Sequence, residues 1–164
     1  MKAAGALCIL IGAFLGQSFF QRERRRRQIF LSDLRLALFR AAEEIRTART
    51  PFPLLLAELD CGAEAHRFFH GVSELLRRGE APDQAWRAET LSLESSIGEE
   101  ERRILESLGP DLRGDEERIR AALLDASEKL SERAEALERS SRDDTRRTAA
   151  LLFSGAALLV ILLY

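Results

Sequence analysis

The stretch IFLSDLRLALFRAAEEI, residues Ile29–Ile45, decides the fold class. Phe30, Leu34, Leu38, Ala41 and Ile45 recur every three to four residues, the interval that lines one face of an α-helix. Arg35, Arg40, Glu43 and Glu44 fall off that line. Thr50, Pro51, Phe52 and Pro53 end it, because proline lacks an amide donor and biases its predecessor away from helical geometry.

The same interval governs the residues that follow. Pro53 opens a short helix through Leu59, closed by Cys61 and Gly62. Ala65, Phe68, Phe69, Val72, Leu75 and Leu76 form the next stripe, which stops at Gly79. Ala81 and Pro82 restart the chain, and Ala85, Trp86, Leu93 and Ile97 carry a weaker pattern to Gly98. Ile104, Leu105 and Leu108 precede the breakers Gly109 and Pro110. From Asp115 a long run places Ile119, Ala122, Leu123, Ala126, Leu130, Ala134 and Leu137 at helical spacing. No alternating stretch is long enough for a strand. The expectation is an all-α fold, a cytoplasmic helical bundle of about six helices flanked by N- and C-terminal transmembrane helices.

Upstream of the opening stretch no breaker intervenes before Phe20, so the first helix is expected to continue into an apolar segment. Ala3 to Phe20 carries no charge. At 1.5 Å per residue these roughly 18 residues make about 27 Å of helix, enough for a thin hydrocarbon core. A cleaved secretory signal would need its bases before the apolar run and a small-x-small site after it. Here only Lys2 precedes the run, whereas Arg22, Arg24, Arg25, Arg26 and Arg27 follow it. An uncleaved anchor is the better reading. Gly12 and Gly16 form a GxxxG pair that permits close helix contact, although glycine is common in membrane helices generally.

At the other end, residues 149 to 164 hold nine Leu, Ile, Val and Phe residues, worth roughly -3 to -5 kcal/mol towards insertion. Arg146 and Arg147 can snorkel at the inner edge, and Tyr164 suits the far headgroup boundary. Both arginine clusters therefore flank the same middle. The positive-inside rule places that middle in the cytoplasm and both termini outside. The expected organisation is an anchor at 1–21, a cytoplasmic helical domain at 22–147 and a second anchor at 148–164.

The 164 residues are 46% hydrophobic and 32% charged, with a formal net charge of -2. The apolar share is concentrated at the ends, and the balance shows no basic excess of the kind nucleic acid requires. Cys8 and Cys61, the two cysteines, suggest neither a disulfide framework nor a zinc site. His66 and His70 stand four apart, a spacing that can present two imidazoles to a metal. A third ligand is missing nearby, and the segment lacks the glutamate of an HExxH motif. Glu43 with Glu44, and Glu99 to Glu101 before Arg102 and Arg103, read as solvated helix faces. No catalytic, cofactor-binding or metal residue is assigned.

The order of features resembles the stage III sporulation protein AB family. The likeness spans essentially the whole chain. It is carried by the glycine-containing first segment with its arginines; by Ile45, Arg46, Thr47, Ala48, Arg49, Thr50, Pro51, Phe52 and Pro53; by Phe68 and Phe69, Gly79, Ala85 and Trp86; and by Glu101, Ile104, Leu105, Leu108 and Gly109. A second leucine-glycine pair is frequent in the family after the first. Here Leu112, Arg113, Gly114 stands in that place behind Pro110. The family is similar to the F-type platform proteins of type II secretion and type IV pilus systems. The resemblance implies a non-enzymatic assembly role in the mother cell to forespore channel, with channel subunits, a cytoplasmic secretion-type ATPase and the lipid bilayer as partners. Two other readings stand beside it: a membrane-tethered structural or oligomeric coiled-coil protein, and a metal-binding enzyme using His66 and His70.

Overall fold

The computed structural model describes the backbone of residues 2–47, 50–93 and 96–163, and the side chains of residues 22, 25–47, 50–93 and 96–140. Among the described residues every regular element is helical. There are six α-helices: α1 (Lys2–Thr47), α2 (Phe52–Glu58), α3 (Ala63–Arg77), α4 (Pro82–Ser92), α5 (Glu99–Leu108) and α6 (Glu116–Leu163). A 3-10 turn, Gly109–Arg113, joins α5 to α6. The expected stop at Gly109 and Pro110 is thus a tightening of the helix rather than an open loop.

Local chemistry sets most of these boundaries. Pro53 and Pro82 sit in the first turns of α2 and α4, where a missing amide costs nothing. At the end of α3, Gly79 adopts φ 90°, and its amide bonds the Leu76 carbonyl while that of Glu80 bonds Leu75. This is the Schellman closure, and the left-handed residue in it is the one that favours glycine. Asp115 caps α6, its Oδ1 accepting from the Arg118 amide at 2.9 Å.

α1 and α6, at 46 and 48 residues, are each about 70 Å long and form the spine. Their direction follows from two ties. Arg35 donates to Ser131 Oγ at 2.9 Å and accepts, through its carbonyl, from Ser127 Oγ at 3.1 Å. Glu101 faces both Arg27 and Arg133. Position falls along α1 as it rises along α6, so the two helices run antiparallel. Leu31, Leu34, Ala37, Leu38 and Ala41 from α1 are buried, as are Leu123, Ala126 and Leu130 from α6. The alanines among them let the two backbones approach.

The short helices close over this spine. Leu55 and Leu56 of α2, Phe68, Phe69 and Val72 of α3, Ala85 and Trp86 of α4, and Leu105 and Leu108 of α5 join one core. Burying each large apolar side chain stabilises by about 1.5–3 kcal/mol. Trp86 centres the cap: its ring meets Phe68 edge-on at 5.0 Å, and its Nε1 donates to the Leu105 carbonyl at 2.8 Å. That carbonyl lies in the last turn of α5, where the Gly109 amide bonds to Glu106 instead. The indole therefore satisfies a helix-end acceptor. Ser73 Oγ ties α3 to α2 by donating to the Pro53 carbonyl at 2.7 Å.

Helical backbone continues through both of the boundaries expected at 21/22 and 147/148. No helix among the described residues is long and apolar enough to cross a membrane. The expected spans at 3–20 and 149–164 lie outside the residues whose side chains are described, as do Cys8, Gly12, Gly16, Arg24, Arg146 and Arg147.

Candidate functional site at the arginine collar

The arginines that follow the first apolar segment sit near the middle of α1, where its buried stripe begins, remote from its Thr47 terminus. They divide into two groups. Arg27 turns inward. Its Nη2 donates to Glu101 Oε2 at 2.6 Å, and Glu101, on α5, is fully buried. Arg133 of α6 approaches the other oxygen, Nε to Oε1 at 3.9 Å, and also pairs with Glu100. One carboxylate thus joins α1, α5 and α6. A buried carboxylate is tolerated only when charge and hydrogen bonds compensate it. Gly98 is part of the arrangement, because a Cβ there would run into Arg27 Nη2 and Glu101 Oε2.

Arg22, Arg25 and Arg26 turn outward and are exposed. They line a groove of about 480 Å³ between α1 and α3, together with Ile29, Phe30, Asp33, Ala63, Glu64 and Arg67. Arg26 pairs with Glu64 at 3.5 Å, and Glu64 also accepts from Ser96 Oγ at 2.5 Å. Asp33 lies against Gly62, at the first turn of α3, so closely that a Cβ on Gly62 would strike its carboxylate. The positive end of the α3 dipole offsets that charge. The collar thus holds Arg27 inside on a buried carboxylate and presents Arg22, Arg25 and Arg26 on its exposed face.

Of the sequence-assigned residues, the structure places Arg22, Arg25 and Arg26 together in one groove and separates Arg27 from them. Sequence reading missed Glu101 as the partner of Arg27. It stands in a run of three glutamates, and only its helical register, four before Leu105, marks it as inward. The ring centres of His66 and His70 are 5.9 Å apart. Among the described residues no group of three or more His, Cys, Asp and Glu could hold a metal ion. Cys61, at the α2–α3 junction, donates to the Leu59 carbonyl at 3.5 Å. Burial pushes its thiol up from the ordinary value, Asp33 and Asp60 add to the shift, and Arg40 opposes it.

Spine and collar together define a class: an all-α protein in which two long antiparallel helices carry a basic collar where their buried packing begins. The chain belongs to the stage III sporulation protein AB family, whose model matches residues 2–164. That membership gives it a role in sporulation. Neither the curated proteins nor the solved structures compared with it show a match.

Proposed function

We propose that this chain is a non-catalytic platform in the membrane of the mother cell, held by two helical anchors, whose cytoplasmic bundle docks a secretion-type ATPase of the mother cell to forespore channel. The observation that carries the reading is the antiparallel spine. Helix α1 begins and α6 ends at the same end of the bundle, so the apolar stretches 3–20 and 149–164 leave it on one side. Both stretches are bordered on the bundle side by arginine, which is the arrangement the positive-inside rule requires of a two-span protein with a cytoplasmic middle. Family membership supplies the sporulation context, and the likeness to secretion platform proteins supplies the ATPase.

The coiled-coil alternative is weakened by the same geometry. Leu123, Ala126 and Leu130 of α6 are buried within the chain's own bundle, so these three positions are not available to a second copy. The test is co-purification of the channel ATPase with full-length protein embedded in nanodiscs. Binding above that of empty nanodiscs is expected. Absence of binding by a folded ATPase to folded, embedded protein refutes docking.

A further inference from the structure

We propose that the groove between α1 and α3 binds the phosphodiester headgroup of an anionic phospholipid, with the guanidinium groups of Arg22, Arg25 and Arg67 as its ligands. The inference rests on the two-anchor reading above and adds to it a defined site and a contributor from a second helix.

Arg25 and Arg26 lie three and four residues after Arg22 and four and three before Ile29, the steps that share a helix face. Arg67 reaches the same groove from α3. Arg22, Arg25 and Arg67 are exposed and have no carboxylate partner among the described residues. Of the two acids in the lining, Glu64 is engaged by Arg26 and Ser96, and Asp33 lies against Gly62 at the positive end of α3. The groove therefore offers three guanidinium groups without a carboxylate partner among the described residues, the side chain best matched to phosphate oxygens.

Depth along the helix agrees. Arg22 lies about 3 Å and Arg26 about 9 Å beyond Phe20 along the axis, which spans the headgroup layer of roughly 5–8 Å on each side of the hydrocarbon core. Ile29, 55% exposed, lines the groove on the side away from the apolar segment together with Phe30 and Asp33. The groove volume is in the range that accepts a small ligand.

The test titrates full-length protein in mild detergent with phosphatidylglycerol or zwitterionic phosphatidylcholine and reads adducts by native mass spectrometry. One tightly held phosphatidylglycerol per chain is expected. The double variant Arg25→Ala/Arg67→Ala should hold it roughly thirtyfold more weakly, at the tenfold or less that each surface arginine contributes. Arg67→Glu alone, which leaves α1 untouched, should weaken it at least as much as the loss of one arginine. Arg77→Ala/Arg78→Ala removes the same charge from the far end of α3 and should change binding less than threefold. Equal retention of phosphatidylcholine, an equal loss in the Arg77/Arg78 variant, or displacement of lipid by inorganic phosphate at the same concentration would overturn the proposal. Alkaline carbonate extraction of native membranes separates the two readings. Protein released by carbonate refutes the anchors and the headgroup site together, whereas protein that stays embedded but shows no lipid selectivity refutes the site alone.

Discussion

Glu101 is fully buried between two arginines that are each about one-third exposed, 35% and 36%. Removing it should hurt more than removing a surface acid, because Arg27 and Arg133 would keep their desolvation without their counter-charge. Glu101→Ala is expected to cost about 2–3 kcal/mol, discounted for the partial exposure of both bases. Glu101→Gln, which keeps an acceptor in the same volume, should cost less. Denaturation of the full chain followed by Trp86 fluorescence measures both. Cys61 supports a second residue-scale expectation. Its thiol is shifted upwards, so at pH 8 less of it is thiolate than in an unperturbed cysteine, and in a Cys8→Ser background it should alkylate several-fold more slowly. The rate should climb as pH rises through the raised pKa. Asp33→Asn removes one cause of the shift and should quicken alkylation at fixed pH.

At the scale of elements, Trp86 joins three pieces of structure, α3 through Phe68 and Phe69, α4 through its own backbone, and α5 through Leu105. Trp86→Phe leaves a buried carbonyl unpaired and a partial cavity beside it, and should cost about 2–4 kcal/mol, read as a lowered Tm by circular dichroism. The stripes at Phe30 to Ile45 and Ala65 to Leu76 were legible because helical spacing is a local signal, and Gly79, Pro53 and Pro82 punctuated them as their backbone chemistry demands. The antiparallel pairing of α1 with α6 was not. It depends on contacts such as Arg35 with Ser127 and Ser131, which spacing along the chain does not encode. The collar was half legible: a run of arginines after an apolar segment announces a boundary, but which of them face inward depends on where Glu101 and Gly98 arrive from α5. Arg67, an ordinary surface residue in the sequence, acquires its place in the groove only through the packing of α3 on α1.

For the whole molecule, the two-anchor reading fixes where each terminus lies. With Tyr164→Cys as the sole cysteine, in a chain also carrying Cys8→Ser and Cys61→Ser, a membrane-impermeant maleimide should label intact cells from outside. A cysteine introduced at exposed Leu36 in the same background should label only after permeabilisation. The reverse pattern would invert the topology and detach the bundle from any cytoplasmic ATPase.

The antiparallel spine also bears on mechanics. A domain hung from one helix can spin about the membrane normal at almost no cost, so torque applied by a rotating or ratcheting motor would simply be dissipated. On the two-anchor proposal, with the helices at the usual packing distance of about 8–10 Å, the bundle would turn only by dragging both through the lipid or by twisting the pair about its own axis. Glu101 ties α1, α5 and α6 together beside the arginine collar, so on the same proposal a push on the cap would arrive at the bilayer as a turn of two coupled shafts.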